Sequence, residues 1–382
     1  MRILYINDAW AIWGGVERVL IDKMNYLADA EGYEIYTITY DQGTNSIPFP
    51  LSPKVIYRDL NVRLYHHYRY HGLKKYYDRY KLERLLIKRL QSEIKEIKPD
   101  VIVCPRIDLL GYILKAKESI PLVYESHSSY KWIAMEKKGL IWFFKQRYYN
   151  RLVKKTQMVV ALTEGDALEW QKVTSHVSVI PNVVRLNETG RYSDCRSKSV
   201  IFVGRYSCQK DIRTLLIIWE QVHQRHPDWS LHIFGGYGDE QKTLPPLIQR
   251  MGMNIVMHEP TSTIFEEYLR SSMLLMTSRY EPFGLVLPEA MSCGLPVVSF
   301  DCPYGPADII THELDGFLVP GRNVNRYAEY VCQLIESPEL RQIMGAAGIK
   351  TSQRYQADKI MPQWKKLFVS LTSKGSSSKR IE

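Results

Sequence analysis

The chain has 382 residues, of which 45% are hydrophobic and 24% are charged, a composition typical of an ordinary folded protein. Because a single core rarely grows beyond about 250 to 300 residues, the length predicts two domains. The six cysteines form no C-x2-C pair and no Cys/His cluster with zinc-ligand spacing, so we expect reduced thiols and no structural zinc site.

The sequence predicts neither a signal peptide nor a membrane span. The opening apolar run within residues 1–8 is too short for a signal peptide and is typical of a first strand. No stretch approaches the roughly 18 apolar residues of a membrane span. We therefore expect a cytoplasmic protein that is soluble, or peripheral at a membrane surface.

The net charge of +10 is unevenly distributed along the chain. Residues 51–155 hold 24 Lys and Arg against 10 Asp and Glu, whereas the remainder is slightly acidic. We expect this basic part of the chain to face something anionic.

The first half of the chain alternates strand-like and helix-like segments. In chain order the patterns predict a strand at 1–6, a helix at 16–28, a strand at 34–39, a basic amphipathic helix at 82–97, and strands at 101–104, 121–124, 158–162 and 177–180. Such alternation predicts an α/β fold, with a parallel sheet covered by helices.

The pattern restarts after a polar stretch at 187–199, and we place the domain boundary near residue 183, between domains 1–183 and 184–355. The second half predicts strands at 199–203, 231–234, 254–257, 273–277 and 296–300, and helices at 211–225, 263–271, 288–292 and 326–336. A last helix is predicted at 356–371, and residues 373–382 are expected to form a disordered tail.

Two glutamates follow the predicted strand 273–277. Glu281 lies four residues after its end, and Glu289 lies eight residues further on, in the first turn of a predicted helix. Ligands bind at this edge of an open α/β sheet, and a helix N-terminus attracts phosphate through its unpaired N–H groups. The two acids can hold hydroxyl groups, and the backbone amides can hold a diphosphate. A nucleotide sugar has both kinds of group.

This segment, with Pro-Phe-Gly between the acids, resembles the E-x7-E motif of the retaining glycosyltransferases of family four. The resemblance implies the GT-B fold, in which two Rossmann-like domains have parallel sheets that face a central cleft, with the last helix packed back on the first domain. It also implies that Glu281 contacts the donor sugar and that Glu289 holds the ribose. The amides of Phe283, Gly284 and Leu285 would assist the departing diphosphate.

Two further loops in the second half resemble the same family. Gly204 and Arg205 through Lys210 are similar to its G-R-x5-K motif with one residue fewer, which implies that Arg205 and Lys210 stabilise the diphosphate. Fixed cations suit that task where no metal neutralises the charge. The loop around Gly305 and Pro306 resembles a variant in members that build capsular and exopolysaccharide repeats, although a plain tight turn would also explain it.

A glycine-rich stretch at 235–238 allows two interpretations. It follows a predicted strand, and Glu259 lies about 20 residues on, as in a dinucleotide-binding fingerprint. However, Gln241 replaces the third glycine, and the strand is not the first of its domain. The family resemblance implies instead that Gly235 and Gly236 line the nucleotide site.

The first domain also offers candidate site residues at strand ends. Gly14 and Gly15 follow the first strand and open a helix, where backbone can approach an anion. The resemblance places this loop beside the donor diphosphate, although a tight turn would also need these glycines. His127 follows the strand 121–124, and the resemblance places a histidine there near the donor sugar; the role of the neighbouring Glu125 stays open.

No D-x-D motif and no His-rich cluster is present in the sequence. The family resemblance implies metal-independent chemistry, with no cofactor beyond the nucleotide-sugar co-substrate.

Cations alternate with aromatic residues in the segments 63–98 and 131–155. Such a mixture suits a membrane interface, where rings lie among headgroups and Lys and Arg meet anionic lipid. The same composition could bind nucleic acid or form a solvated helix face. We favour contact with an anionic membrane or a lipid-linked acceptor, and no nucleic acid.

The resemblance as a whole implies a retaining hexosyltransferase of cell-surface polysaccharide biosynthesis, such as capsule or lipopolysaccharide. It would move a hexose or N-acetylhexosamine from a UDP-sugar to a lipid-linked or glycan acceptor at the inner face of the cell membrane. Two alternatives stay open: a non-catalytic nucleotide-sugar or glycan-binding protein on the same scaffold, and a UDP-sugar epimerase.

Overall fold

Seven short strands from the first half of the chain form one parallel sheet. They are β1 (Arg2–Ile6), β2 (Glu34–Thr39), β3 (Ile56–Asp59), β4 (Val101–Cys104), β5 (Leu122–Glu125), β6 (Met158–Ala161) and β7 (Val177–Val179). Their order across the sheet is β3-β2-β1-β4-β5-β6-β7. The computed structural model describes residues 1–130 and 140–377.

Helices cover both faces of this sheet because its central strands are apolar on both sides. Every residue of β4 and β5 is buried, as expected for a parallel sheet covered on two faces. Gly15–Asp29 and the final helix Ala357–Ser377 pack on one face. The other face is covered by the helices Gly72–Ile97, Leu110–Ala116, Leu140–Val153 and Glu164–Gln171. Short 3-10 helices lie at Leu64–Arg69 and Ile107–Leu109.

Six strands from the second half form a separate parallel sheet. They are β8 (Ser199–Val203), β9 (Ser230–Phe234), β10 (Ile255–His258), β11 (Met273–Met276), β12 (Val297–Phe300) and β13 (Gly316–Val319), in the order β10-β9-β8-β11-β12-β13. Side chains from five of these strands pack with helices in one core that includes the fully buried Trp219 and Tyr327.

The helices of the second sheet are Ile212–Arg225, Leu244–Met251, Ile264–Leu269, Val286–Ser292, Gly305–Ile309, Val324–Glu336 and Pro338–Ser352. Two 3-10 helices lie at Pro320–Arg322 and Gln353–Tyr355. The chain divides into two units: the first comprises Met1–Leu162, Asp166–Val183 and the final helix, and the second comprises Thr163–Gly165 and Val184–Gln356.

The predicted strands are confirmed to within one or two residues, but several elements were missed. Strand β3 is a half-exposed edge strand whose Ile-Tyr-Arg-Asp sequence contains no apolar run. The helix Gly72–Ile97 begins ten residues before the predicted start, because its first turns expose aromatic residues instead of burying an apolar stripe. The final helix continues past residue 373, where the tail was predicted, and ends at Ser377. Residues 378–382 of that tail lie outside the described residues.

In residues 1–130 and 140–377, no helix has the length and apolar character needed to cross a bilayer.

Tyr327 offers a test of how the second unit is held together. Its hydroxyl donates to the carbonyl oxygen of Val298 at 2.6 Å and accepts from the amide of Met276 at 3.0 Å. Tyr327→Phe removes this hydrogen-bond partner from the Met276 amide and the Val298 carbonyl, so we expect the free energy of unfolding to fall by about 1–3 kcal/mol. Urea denaturation measures the change. The exposed Tyr192 is the matched control; equal effects of Tyr192→Phe and Tyr327→Phe would contradict the assignment.

Candidate active site

The strand order of the second sheet reverses beside β8, between β8 and β11. In open α/β sheets this point forms a crevice at the carboxyl ends of the strands, where ligands bind. Lys210 follows β8 and Glu281 follows β11, so both residues lie in loops at the carboxyl ends of the two strands that flank this crevice. The topology therefore brings two predicted site residues together from positions far apart in the chain.

Lys210 and Glu281 form a direct ion pair. The Nζ atom of Lys210 lies 2.6 Å from Oε2 of Glu281, and the hydroxyl of Ser278 donates to the same oxygen at 2.9 Å. The two side chains are largely shielded from water, with 14% and 10% of their surface exposed. A cation and a carboxylate thus lie side by side at the end of the sheet, where they can face a ligand that carries both phosphates and hydroxyls.

Arg205 differs from Lys210 in its surroundings. Its side chain is exposed and makes no hydrogen bond or ion pair to any residue that the structure describes. It lies in the same loop after β8. Among the residues that the structure describes, its guanidinium therefore has no partner that would compete with a ligand.

The loop that carries Glu281 is shaped by backbone contacts. The amide of Glu281 donates to the carbonyl of Pro303 at 2.7 Å, and the amides of Tyr304 and Gly305 donate to the carbonyl of Glu281. Gly284 has a φ of 97°, a left-handed conformation that a side chain would strain. These constraints hold the Glu281 loop against the predicted Gly305 loop after β12.

Glu289 lies in the first turn of the helix Val286–Ser292, as predicted. Phe283, Gly284 and Leu285 precede that helix. The Glu289 side chain is buried, and the hydroxyl of Tyr268 donates to it at 3.3 Å.

Gly235 and Gly236 follow β9 at the same edge of the second sheet. A Cβ atom on Gly235 would lie only 1.9 Å from the carbonyl oxygen of Gly204, so the close approach of these two loops requires glycine there. Next to them the ring of His258 stacks on Phe234, with the ring centroids 4.2 Å apart.

A buried acid behind Lys210 was missed by the sequence reasoning. Asp211 accepts from Arg322 at 2.6 Å and from Nε of Arg279 at 3.1 Å. Arg322 also donates to the carbonyl of Ser278 at 2.9 Å, and its guanidinium lies over the ring of Phe300. Arg322 thus connects the loop of Lys210 to the loop of Glu281. The sequence gives no signal for this contact, because Asp211 and Arg322 are far apart in the chain.

The first unit has its own cavity at the corresponding point of its sheet, where the strand order reverses between β1 and β4. The cavity has a volume of about 300 Å³ and is lined by residues that follow β1, β4 and β5. The lining residues are Asn7, Val16, Glu17, Pro105, Arg106, Ile107, Asp108, Tyr124, His127 and Ser128.

Several charged and polar side chains line this cavity together with apolar ones. Arg106 pairs with Asp8 at 2.7 Å and with Asp108 at 2.9 Å. Burial raises the pKa of the Glu17 carboxyl. The Oδ1 atom of Asn7 is buried and has no hydrogen-bond partner in the described part of the chain. Sequence reasoning did not identify Asn7, Glu17 or Arg106 as site residues.

The predicted residues of the first unit lie in or beside this cavity. His127 lines it, and its Nε2 atom lies 3.1 Å from Oε1 of Glu125. Gly15 begins the helix Gly15–Asp29, and Gly14 is its extended N-cap residue. A Cβ atom on Gly14 would meet the Glu17 carboxylate at 2.4 Å.

Within residues 1–130 and 140–377, no group of three or more His, Cys, Asp or Glu is arranged to hold a metal ion.

Comparison with known families agrees with this architecture. Residues 13–188 match the model of "Glycosyltransferase Family 4", and residues 193–351 match that of "Glycosyl transferases group 1". Together the two matches span most of the chain. The chain belongs to the glycosyltransferases that these two models describe.

Individual relatives support the same placement. An uncharacterized glycosyltransferase of Haemophilus influenzae is 27% identical over 92% of this chain and 95% of its own. The amylovoran biosynthesis glycosyltransferase AmsD of Erwinia amylovora is 33% identical over 54% of this chain and 61% of its own. A variant of TarM from S. aureus, solved with fondaparinux, α-GlcNAc-glycerol and UDP, has a TM-score of 0.79 at 15% identity, covering 96% of this chain and 99% of that structure. The glycosyltransferase described here therefore has the predicted GT-B fold of two Rossmann-like units.

Arg322 offers a test of the support behind the Lys210 loop. Arg322→Leu removes a charged donor to the buried Asp211 and to the Ser278 carbonyl, so we expect the free energy of unfolding to fall by about 1–3 kcal/mol. Thermal denaturation measures the loss. Arg326→Leu is the control, because Arg326 forms an exposed pair with Glu329; such pairs contribute little. Equal melting temperatures for the two variants would contradict the role of Arg322.

Proposed function

We propose that this glycosyltransferase moves a hexose or N-acetylhexosamine from a UDP-sugar, with retention of anomeric configuration, during cell-surface polysaccharide biosynthesis. The observation that carries the proposal is the Lys210–Glu281 pair at the point where the second sheet reverses its strand order. The AmsD relative, which acts in amylovoran biosynthesis, and the TarM structure with UDP support the substrate class.

In this proposal the second unit binds the donor. Lys210 and Arg205 stabilise the departing diphosphate, since fixed cations there offset the negative charge that develops as the sugar–phosphate bond breaks. Amides of Phe283, Gly284 and Leu285 add hydrogen bonds to that group. No metal ion is required, because these side chains supply the positive charge.

The carboxylates then orient the neutral parts of the donor. Glu281 accepts from hydroxyls of the sugar while Lys210, paired with it, reaches the neighbouring phosphate. Glu289 holds the ribose, and Gly235 and Gly236 let the backbone approach the nucleotide. The close Lys210–Glu281 contact supports these separate roles for the lysine and the glutamate, because it places a cation for the phosphate next to an acceptor for the sugar hydroxyls.

The polar cavity of the first unit is the proposed place for the acceptor. The Oδ1 of Asn7, which has no hydrogen-bond partner among the described residues, and the carboxyl of Glu17 offer acceptors for hydroxyl groups, and His127 offers a ring nitrogen. Gly14 and Gly15 let a ligand approach the backbone at the start of the helix Gly15–Asp29. The acceptor hydroxyl attacks from the side of the leaving group, and a phosphate oxygen takes its proton.

Release of UDP from a panel of UDP-sugars tests the donor role. We expect Arg205→Ala and Lys210→Ala each to lower kcat by about 100-fold or more, because each removes a charge that acts on the leaving group. Arg213→Ala is the control, since Arg213 is an exposed residue paired with Glu240. Binding of a UDP-sugar without release of UDP would favour a binding protein, and conversion of the sugar to its epimer would favour an epimerase.

We further propose that the first unit binds an anionic membrane surface. Two helices, Gly72–Ile97 and Leu140–Val153, lie on the same side of the first sheet and both pack on Leu110–Ala116. Leu73 is 89% exposed and Tyr76 is 71% exposed, which is unusual for large apolar side chains. Further exposed side chains on or beside these helices are Tyr65, Tyr68, Tyr70, Tyr77, Tyr80, Leu140, Phe143, Phe144 and Tyr148.

Cations accompany these rings. Lys74 lies over Tyr70, Lys81 over Tyr77, and Arg147 over Phe143, each within 6 Å of the ring centroid. Rings that enter the headgroup layer beside cations that meet anionic lipid would hold the enzyme peripherally at the inner face of the cell membrane, near a lipid-linked acceptor. Residues 131–139 of the predicted basic segment lie outside the described residues.

Liposome flotation tests the membrane proposal. The double substitution Lys74→Glu and Lys81→Glu should weaken binding to vesicles rich in anionic lipid by about tenfold or more, since each lysine near the surface contributes about 1 kcal/mol. The control reverses two exposed lysines of the second unit, Lys242 and Lys350, and so makes the same change in net charge. Equal losses in the two variants, or no binding of the unaltered protein at low salt, would refute the proposal.

A further inference from the structure

A buried ion pair in the first unit has no role in the function proposed above. Lys23 lies on the helix Gly15–Asp29, and Glu125 is the last residue of β5; each is 1% exposed. Their ammonium and carboxylate groups are in direct contact. Burying two charges costs several kcal/mol per ion before their attraction offsets it, and apolar residues of similar volume are often equally stable. Stability alone therefore does not account for the pair.

The surroundings of Lys23 fix its position from three sides. Its Nζ lies 3.7 Å from the ring centroid of Trp364, a buried residue of the final helix, and 5.5 Å from that of Tyr5 on β1. A cation over an aromatic face is attracted to it, more strongly where water is excluded. Burial outweighs the charge of Glu125 and lowers the pKa of Lys23. The final helix thus contributes directly to holding the Lys23 ammonium against Glu125.

Glu125 uses its two oxygens for two different partners. Oε2 contacts Lys23, while Oε1 lies 3.1 Å from Nε2 of His127, a residue that lines the cavity. Nε2 is buried and has no aligned hydrogen bond to any described residue, so Glu125 is its nearest charged neighbour by distance and not by hydrogen-bond geometry. Burial by itself would raise the pKa of the Glu125 carboxyl, but the charges of Lys23 and His127 lower it to about 2. Glu125 is therefore an anion at neutral pH, and an anionic carboxylate accepts hydrogen bonds only.

We propose that Lys23 and Glu125 are positioning residues that hold the His127 ring in its working orientation in the cavity. Trp364, on the final helix, packs over the Lys23 ammonium and keeps it against Glu125. The chain of contacts runs from Trp364 through Lys23 and Glu125 to His127. Because the Glu125 carboxylate lies beside Nε2, it favours a proton on that nitrogen, and the remaining ring nitrogen is left for the substrate. The proposal rests on the proposed function only in giving His127 a substrate to touch.

The test replaces the ion pair without leaving a charge unpaired in the core. In Lys23→Met/Glu125→Leu both charges are gone, so the chain should fold with a melting temperature near that of the unaltered protein. In Lys23→Met/Glu125→Gln the glutamine still places an amide oxygen beside His127. We expect kcat for UDP release in the presence of acceptor to fall at least tenfold in the leucine variant and to recover in part in the glutamine variant. Unchanged kcat in a folded leucine variant would overturn the proposal.

A double-mutant cycle shows whether the pair acts through His127. Adding Lys23→Met/Glu125→Leu to His127→Ala should lower kcat less than twofold further, because the ring that the pair positions is already absent. An equal loss in both backgrounds would indicate a structural role and overturn the proposal. The control is Lys117→Met, since Lys117 is another buried lysine of the first unit and donates to the carbonyl of Ile120, away from the cavity.

A measurement without turnover separates this proposal from the proposed function. In 1H–15N spectra of the histidine rings of the full chain, the His127 signals, assigned by their loss in His127→Ala, should show a protonated Nε2. Those signals should shift in the leucine double variant and remain unchanged in Lys117→Met. If no UDP-sugar is turned over but the signals shift, the proposed function fails while the positioning role stands. Signals that do not shift would overturn the positioning role.

Discussion

Parallel strands leave a sheet at one edge, and in each unit of this protein the strand order reverses beside the unit's first strand. Connections on the two sides of that point run away from each other, so the loops there leave a crevice open. The Lys210–Glu281 pair lies at this point in the second unit, and the polar cavity lies at the corresponding point in the first. All the chemistry proposed for the protein depends on these two places.

Polar site residues in both units rest on buried charges. Behind Lys210 and Glu281, the carboxylate of Asp211 binds Arg322, which also holds the carbonyl before the Glu281 loop. Behind His127, Glu125 binds Lys23. Such pairs cost desolvation energy, and they define the direction of a side chain more closely than apolar packing does. A fixed side-chain direction helps a site residue to meet a phosphate or a hydroxyl group at the required distance.

Much of the fold could be predicted because the central strands are short apolar runs between polar turns. Strands β2, β4 and β8 have the predicted bounds, since each is mostly buried and bounded by polar or turn residues. The edge strand β3 and the exposed first turns of Gly72–Ile97 escaped prediction for the opposite reason. Their residues face water, so periodicity carried no signal there.

The sequence by itself determined the fold class and the identity of most candidate residues, because loops at strand ends carry short motifs whose residue types reflect the groups that they bind. Only the tertiary structure decided which of these residues touch. Lys210 and Glu281 are separated by 71 residues, and Lys23 and Glu125 by 102. No local pattern can encode such a contact, since it depends on strand order and on the packing of helices against the sheet. For the same reason the part that Trp364 plays beside Lys23 could be seen only after the final helix had been placed on the first sheet.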